Sequence, residues 1–389
     1  MNRYFFLLLL LLSGCAVVTP LQKSRLIGVF HLIEAAKYEE AKEVVEEMIL
    51  EKDASGWART WYARGVLAQT AYQDGRRTND RKKMELYPDQ LYVAFRSFER
   101  ARVLDHRGRL DRQIAPRYVY LGNEFARLGE AHFKKQEFEA ALRAYEHAIR
   151  ITESPVLTVQ TDKGLIYNAA LAAYHASNWD RAMVHLNRLN EKNYSGHVAH
   201  LLFSAHLQKG DTLQAEKVLR DGIRRYEEDP DLVILLADLH YSTGNPDKAL
   251  QSITTGLQRM PSNFALLHAK GLIYQKKGEY ELAITAFQRA LEASPQQVLT
   301  YLNIATCYYN LGVEIEENAA SLLSSARVAS EKARSEEAFR SAVLWLDKLY
   351  ETQPQDQIVL VQLYELYRSL GVSDRARGIQ RLFNGSVNR

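Results

Sequence analysis

The residues with the most distinctive chemistry in this 389-residue chain are two cysteines and one pair of histidines. His197 and His200 lie three positions apart, so on a helix they share one face and could bind the same metal ion. No third ligand with a suitable spacing accompanies them, which favours a structural or surface role. Cys307 follows an apolar segment, where a thiol usually packs as a small hydrophobe. We therefore predict no metal site and no disulfide framework.

The sequence lacks the motifs that build common active sites. It has no glycine-rich phosphate loop followed by Lys-Ser or Lys-Thr, no His-Glu-x-x-His and no Gly-x-Ser-x-Gly. Neighbouring carboxylates are frequent, but they are expected by chance on a charged helical surface. The formal net charge of +3 gives no indication of nucleic-acid binding. We predict no catalytic residues, no enzyme activity and no nucleic-acid partner.

The first twenty residues, MNRYFFLLLLLLSGCAVVTP, have the pattern of a secretory signal. Arg3 precedes an apolar run from Tyr4 to Leu12. This run is shorter than the roughly 20 residues that a membrane-spanning helix needs. The sequence Leu-Ser-Gly-Cys that ends at Cys15 resembles the lipobox of bacterial lipoproteins. The resemblance implies cleavage before Cys15 and a covalent lipid, such as palmitate, on that cysteine; an ordinary signal peptide is the alternative.

The residues after Cys15 bear on the destination of the protein. Ala16 follows the cysteine, and no acidic run comes after it. The inner-membrane retention pattern of enterobacterial-type lipoproteins and the surface-export pattern of some Bacteroidetes-like lipoproteins are thus both missing. We expect an outer-membrane anchor facing the periplasm, with residues 1–14 as signal peptide. Residues 15–23 would form the lipidated cysteine and a tether of at most about 28 Å.

Small residues recur through the rest of the chain at a constant interval. Ala215, Ala249 and Ala283 are spaced by 34 residues. In the clearest copy, residues 264–297, Gly271 allows two helices to approach closely and Gly278 ends the first of them. Equivalent alanines predict nine helical hairpins, at Ala41, Ala94, Ala141, Ala182, Ala215, Ala249, Ala283, Ala342 and Ala376.

This pattern resembles the tetratricopeptide repeat (TPR), a helix–turn–helix unit that stacks into a solenoid. The resemblance implies an all-α fold, a right-handed α-solenoid of about nine TPRs over residues 24–385. Two repeats are longer than the rest. The second has 17 extra residues, which we predict to form a basic loop at 74–89, and the eighth has 25, which predict an extended helical hairpin over 310–340.

The insertion in the eighth repeat has no Gly or Pro between Gly312 and Pro354. Its apolar residues alternate in steps of four and three, which is typical of a narrow helical seam. The seam consists of Ile315, Ala319, Leu322, Ala326, Ala329 and Ala333. We place the turn of the extended hairpin near 329–335.

In TPR proteins the first helix of each repeat lines a concave groove, chiefly at its second, fifth, ninth and twelfth to thirteenth positions. Carried over to this chain, that frame gives a groove rich in Tyr, His, Asn and Gln, which suit a binding surface. The partner-binding residues implied in this way are Arg59, Tyr62, Gln69, Asn123, Glu130, Lys134, Tyr167, Tyr174, His175, His197, His200, Asp238, Tyr241, His268, Gln275, Lys276, Tyr309 and Asn310. The Lys, Asn and Arg clamp with which chaperone-binding relatives grip a C-terminal carboxylate is not reproduced. Solvated helix surface is the alternative.

Five basic residues of the second insertion form a separate candidate site. They are Arg76, Arg77, Arg81, Lys82 and Lys83. A basic residue near an anionic surface adds about 1 kcal/mol of attraction, so a loop held close to the membrane could contact lipid headgroups or an acidic partner. A solvated turn is the alternative.

Segments 94–105, 309–323 and 342–356 also resemble repeat lipoproteins of Bacteroidetes-type bacteria, which mostly have no assigned function. We predict a non-enzymatic, periplasm-facing, lipid-anchored TPR scaffold that binds envelope proteins or peptide segments in its groove. One alternative is an accessory lipoprotein subunit of an outer-membrane assembly or secretion machine. Another is an adaptor that binds glycans or peptidoglycan. Apart from the covalent lipid at Cys15, no cofactor is expected.

Overall fold

The computed structural model describes residues 19–321, 323–352, 354 and 356–386. These residues form helices joined by turns, with no β-strand among them. The predicted signal peptide and Cys15 lie outside the described residues. No helix within the described ranges is both long enough and apolar enough to cross a membrane.

The chain divides into two compact units, residues 1–192 (unit 1) and 193–389 (unit 2). The described part of unit 1 forms α1 (Pro20–Glu34), α2 (Tyr38–Leu50), α3 (Lys52–Ser55), α4 (Ala58–Thr78), α5 (Arg81–Met84), α6 (Gln90–Leu104), α7 (Asp111–Lys134), α8 (Phe138–Thr152), α9 (Lys163–His175) and α10 (Trp179–Asn190). The described part of unit 2 forms α11 (Gly196–Gln208), α12 (Thr212–Arg225), α13 (Pro230–Ser242), α14 (Pro246–Arg259), α15 (Phe264–Lys277), α16 (Tyr280–Ala293), α17 (Val298–Ala320), α18 (Ser325–Thr352), α19 (Gln357–Ser369) and α20 (Ser373–Ser386).

Within each unit, the helices pack as successive hairpins. In unit 1 the pairs are α1–α2, α4–α6, α7–α8 and α9–α10, and in unit 2 they are α11–α12, α13–α14, α15–α16, α17–α18 and α19–α20. First helices also contact the first helix of the following hairpin, as α11 does with α13 and α13 with α15. Over the described ranges, these nine hairpins confirm the predicted all-α repeat fold.

The nine reference alanines lie in the second helices of the nine hairpins, and all are buried. Eight of them have no exposed surface, and Ala376 is 6% exposed. A methyl group is the largest side chain that fits where the two helices of a hairpin come closest, because interiors are packed without spare volume. The spacing of these alanines therefore reports the stacking of the hairpins.

Two glycines of the clearest repeat have the roles predicted for them. A Cβ atom on Gly271 would lie 2.5 Å from the ring of Phe287, so the ring packs directly on the backbone of α15. Gly278 ends α15 with a φ of +78°, in the left-handed region where a side chain is disfavoured.

The first helix starts earlier than predicted, at Pro20 rather than at residue 24. The hydroxyl of Thr19 accepts a hydrogen bond from the amide of Gln22 (3.2 Å), and the side-chain oxygen of Gln22 accepts one from the amide of Thr19 (2.9 Å). This capping box, followed by proline at the first helical position, fixes the start of α1. The end of the segment predicted as a tether, residues 15–23, therefore overlaps the first residues of α1.

The insertion at 74–89 is mostly helical and not the loop expected from its polar sequence. Helix α4 continues to Thr78, and the short helix α5 follows it. The carboxylate of Asp80 caps α5 by accepting hydrogen bonds from the amides of Lys82 (3.0 Å) and Lys83 (3.4 Å). Polar residues continue a helix here because the exposed side of α4 needs no apolar stripe.

The end of the insertion is fixed against neighbouring helices. The ring centroid of Tyr87 lies 5.1 Å from the ammonium of Lys42 and 5.1 Å from the guanidinium of Arg64, which are cation–π distances. The side-chain amide of Gln90 donates a hydrogen bond to the carbonyl of Ala68 (2.8 Å). The insertion is therefore an integral part of unit 1.

The eighth hairpin, α17–α18, is extended as predicted, but its turn was placed wrongly. Helix α17 ends at Ala320 and α18 begins at Ser325, so 329–335 is helical and the reversal comes before it. The predicted seam is buried at Ile315 and Ala319 and ends there, since Ala326, Ala329 and Ala333 are exposed. Leu322 lies outside the described residues. The steps of four and three run on through the turn, so they could not reveal where the chain reverses.

Candidate functional site

A cleft of about 660 Å³ lies within unit 1, between α1, α4 and α7. Asp74 of α4 lines the cleft, and the main row of the wall on that helix consists of Arg59, Tyr62, Val66, Thr70, Gln73 and Arg77. These residues follow one another in steps of three or four, so they share one face of the helix. Because a helix rises 1.5 Å per residue, the wall is about 27 Å long from Arg59 to Arg77.

One end of the cleft is aromatic. Phe30 of α1 contributes a ring whose centroid lies 6.3 Å from that of Tyr62. The ring of Tyr62 in turn lies 5.8 Å from that of Phe98, which is fully buried. Tyr62 thus packs against the buried ring of Phe98 on one side and borders the cleft on another.

The rest of the cleft is mainly polar, although Ile33, Tyr38 and Val66 also line it, and it carries cations from two helices. The guanidinium of Arg117 on α7 donates a hydrogen bond to the hydroxyl of Thr70 on α4 (3.3 Å). Gln113 lies one turn before Arg117 and lines the same wall. Within the described residues, neither Arg117 nor Arg59 pairs with a carboxylate. The cleft therefore presents guanidinium, amide and hydroxyl groups to a ligand.

The residues predicted to bind a partner lie on the first helices of the hairpins, as expected. All of them are exposed or half-buried except Gln69. Gln69 was predicted wrongly, because its side chain faces α7, where it donates a hydrogen bond to the carbonyl of Arg117 (3.4 Å), and it is 1% exposed. Arg59 and Tyr62 line the cleft. For the other residues, contact with a partner stays a prediction.

The repeat frame used for the sequence prediction did not include Gln113 and Arg117, which line the cleft from the first turns of α7. The frame began the third repeat near Asn123, whereas α7 begins at Asp111, so Gln113 and Arg117 fell outside it. A signal was available in the apolar residues Ile114, Tyr118, Leu121 and Phe125, which are buried and follow helical steps of four, three and four.

In unit 2, predicted residues of α13 and α15 contact one another. The ammonium of Lys276 lies 5.0 Å from the ring centroid of Tyr241. Burial raises the pKa of the nearby Asp238 carboxyl, and Lys276 opposes that rise. A cation, a ring and a carboxylate thus meet on one surface, which could hold a polar partner.

His268 has packing partners that the sequence did not indicate. Its ring stacks on Phe264 with centroids 5.4 Å apart and lies 5.2 Å from Phe287. Burial lowers the pKa of His268, and the side-chain nitrogen of Asn303 lies 3.1 Å from Nε2. A neutral imidazole can accept that hydrogen bond. Asn303 was missed because it is one position past the fifth residue of α17.

The histidine pair on α11 lies close together. The ring centroids of His197 and His200 are 5.8 Å apart. Burial, followed by the neighbouring His197, lowers the pKa of His200. The described residues contain no group of three or more His, Cys, Asp or Glu side chains that could hold a metal ion. Cys307 is fully buried, and burial raises the pKa of its thiol to about 12, so the thiol stays protonated at neutral pH.

Three of the five basic residues of the insertion are paired with carboxylates of the insertion itself. The carboxylate of Asp74 accepts hydrogen bonds from Lys83 and from Arg77, each at 2.7 Å, and these contacts lower its pKa. Arg81 pairs with Glu85 at 2.7 Å. In the described ranges, Arg76 and Lys82 are left exposed without a carboxylate. Ion pairing thus reduces the charge available for lipid headgroups; contact with lipid or an acidic partner stays a prediction.

Comparison with protein families identifies TPRs in both units. Residues 125–155 and 206–271 match the tetratricopeptide repeat, and residues 271–312 match the TPR repeat. The chain therefore contains TPRs within these residues.

Curated relatives are distant. BBSome complex member BBS4 of Bos taurus is 22% identical over 171 residues, which cover 44% of this chain and 32% of that protein. Stress-induced-phosphoprotein 1 of Caenorhabditis elegans is 24% identical over 190 residues, covering 47% of this chain and 55% of that protein. An uncharacterized protein of Sinorhizobium fredii is 28% identical over 89 residues, covering 23% and 49%. The chain spans about a third to just over half of the length of these relatives.

Solved structures of repeat proteins are similar over parts of the chain. A tetratricopeptide repeat protein from Parabacteroides merdae has 14% identity and a TM-score of 0.39, covering 63% of this chain and 98% of that one. YrrB, described as a TPR protein with an unusual peptide-binding site, has 16% identity and a TM-score of 0.33, covering 45% and 88%.

Proposed function

We propose that this protein is a non-enzymatic TPR scaffold that binds a peptide segment of another envelope protein in the cleft between α1, α4 and α7. The row from Arg59 to Arg77 carries this proposal, because its length of about 27 Å fits roughly eight residues of an extended chain at 3.3 Å each. Aromatic rings at one end and hydrogen-bonding groups along the rest suit a segment with both apolar and polar side chains.

The proposal includes a lipid anchor at Cys15 in the outer membrane, with the two units facing the periplasm. The lipobox-like sequence that ends at Cys15 supports it. The next residue is Ala16 and not an acidic residue, which also supports it. Each buried methylene group contributes about 0.8 kcal/mol, so two or three acyl chains anchor a protein stably where one is marginal. An anchored scaffold would collect its partner at the membrane surface.

A photo-crosslinking amino acid at Tyr62 tests the proposed function in intact cells. Because Tyr62 borders the cleft, we expect crosslinks to a segment of one envelope protein, identified by mass spectrometry. Tyr120 provides a matched control, since it is a half-buried tyrosine of the same unit that does not line the cleft.

Three outcomes would argue against a peptide in the cleft. The same crosslinked species from both positions would indicate contact outside it. Stable copurification with an integral membrane complex, without a crosslink at Tyr62, would favour an accessory subunit of an assembly or secretion machine. Retention on peptidoglycan sacculi without any protein crosslink would favour the glycan-binding adaptor.

A further inference from the structure

We infer that the cleft in unit 1 selects an extended segment with two acidic side chains about five residues apart and an aromatic or apolar side chain beside one of them. This inference rests on the proposed function and specifies the chemistry of its ligand. Its basis is the unusual length of α4 and α7 and the guanidinium groups that this length brings to the cleft.

The added length of two helices supplies five of the thirteen residues that line the cleft. The first helices α11, α13 and α15 of unit 2 have 13, 13 and 14 residues, whereas α4 has 21 and α7 has 24. Gln73, Asp74 and Arg77 lie beyond the fourteenth residue of α4, so a first helix of regular length would not reach them. Gln113 and Arg117 come from the first two turns of α7. The insertion at 74–89, whose first residues extend α4, thus contributes to a longer binding wall.

The charges of this wall are unequal. Five charged residues line the cleft, namely Glu34, Arg59, Asp74, Arg77 and Arg117. Asp74 is already paired with two cations, Arg77 within the cleft and Lys83 beside it. Arg59 and Arg117 then face a single remaining carboxylate, that of Glu34. A ligand with carboxylates would neutralise the excess positive charge of the two arginines.

Arg117 is suited to hold a carboxylate. A guanidinium has five N–H donors in a planar fork, and Arg117 uses one of them on Thr70. The free donors can bind both oxygens of a carboxylate at once, the strong bidentate geometry that lysine cannot form. Its bond to Thr70 fixes the side chain against α4, which reduces the entropy lost when a ligand binds.

The positions of the two arginines set the spacing in the ligand. Arg117 is hydrogen-bonded to Thr70, so the position of Thr70 on α4 locates the guanidinium of Arg117. Thr70 comes eleven residues after Arg59, a distance of about 16 Å along the helix. An extended peptide covers that distance in about five residues. Tyr62 lies one turn from Arg59, so the aromatic or apolar side chain of the ligand belongs next to the acidic residue at the Arg59 end.

Selection from a random ten-residue peptide library by the detergent-solubilised full-length protein tests this inference. We expect enrichment of Asp or Glu at two positions about five apart, with an aromatic or apolar residue beside one of them. The tightest peptide should then bind at least tenfold more weakly to Arg117→Gln and to Arg59→Gln. Arg112→Gln is the matched control, because Arg112 is an exposed arginine of α7 outside the cleft, and it should change affinity less than twofold.

The outcomes separate this inference from the function on which it rests. Peptides that bind Tyr62→Ala as tightly as the natural protein, or a library that yields no binder, would contradict the proposed function itself. Peptides that need Tyr62 but show no acidic preference would contradict only the charge selection. Equal loss in Arg112→Gln and Arg117→Gln would also overturn it. Circular dichroism of each variant verifies that the helices are intact.

Discussion

In the described ranges, seven hairpins have helices joined by only two or three residues, and each has a left-handed backbone one or two positions after its first helix. The residues concerned are Ala36, Gln136, Ser177, Gly210, Gly244, Gly278 and Gly371. Glycine adopts this conformation without steric cost, whereas other L-residues pay about 1–2 kcal/mol. Three hairpins therefore tolerate a strained residue at the same turn, because the packing of the two helices dictates the turn.

This turn gives a prediction that separates backbone from side-chain effects. Gly278→Ala should lower the free energy of unfolding by about 1 kcal/mol, since its φ of +78° disfavours a side chain although nothing lies within 4 Å of the new methyl group. Gly28→Ala, inside α1 and equally unobstructed, should raise it by about 0.5–1 kcal/mol through helix propensity. Urea unfolding followed by circular dichroism measures both. Shifts in the same direction would show that the backbone of residue 278 is not decisive.

At the residue scale, the sequence predicted part of these turns. Gly278 could be recognised as a helix end because a glycine follows a helical pattern there. Gln136 and Ser177 could not, since neither residue type indicates a left-handed backbone. Gln69 shows the opposite failure: its position in the repeat predicted a groove residue, but the approach of α7 buried it.

At the scale of the elements, the second helices could be located from the sequence because one position in each of them requires a small residue, which is the reference alanine. The lengths of α4 and α7 could not, since polar residues such as those before Thr78 are compatible with either a loop or an exposed helix. Local caps such as the one at Asp80 decide between the two. The same ambiguity displaced the predicted turn of α17–α18.

The insertion offers a test of one such element. Asp74→Asn should loosen α5 from α4, because the amide cannot replace the charged bond from Asp74 of α4 to Lys83 of α5. Trypsin should then cleave after Arg81 and Lys82 several-fold faster than in the natural protein. Asp53→Asn, on an exposed aspartate without an ion pair in the described residues, is the control and should leave the rate unchanged.

The pH dependence of this element follows from the pKa of Asp74. Ion pairing lowers that pKa in the folded protein, so the stabilisation is complete above the ordinary aspartate value, near 4. It is lost as the pH falls through the lower folded value. Asp74→Asn at neutral pH should therefore reproduce the loosening of the natural protein in strong acid. Cleavage rates equal to those of the Asp53→Asn control would contradict the role given to Asp74.

At the scale of the whole molecule, the proposed anchor lies very close to the first helix. The cap at Thr19 is four positions after Cys15, and an extended chain covers four positions in at most about 14 Å. The cleft begins in the same helix, at Phe30. A lipid at Cys15 would therefore hold the proposed peptide site near the membrane surface.

Replacement of the two cysteines tests the anchor. Cys15→Ser should move the protein from the membrane fraction to the soluble fraction and abolish labelling with a palmitate analogue. Cys307→Ser should change neither, because the thiol of Cys307 is buried in unit 2. Membrane association that persists in Cys15→Ser would show that another feature attaches the protein.

The length of α18 has a consequence for how such a chain can evolve. Ala342 is the eighteenth residue of α18, whereas the reference alanine is the fourth residue of α12, α14 and α16. The additional 14 residues make close to four complete turns at 3.6 residues each, so Ala342 keeps its orientation towards α17. Duplications or deletions of whole helical turns at the tip of a hairpin would therefore leave the packing between its two helices unchanged. Natural selection would tolerate such changes, and a lineage can acquire new exposed surface there while it inherits the packed interior.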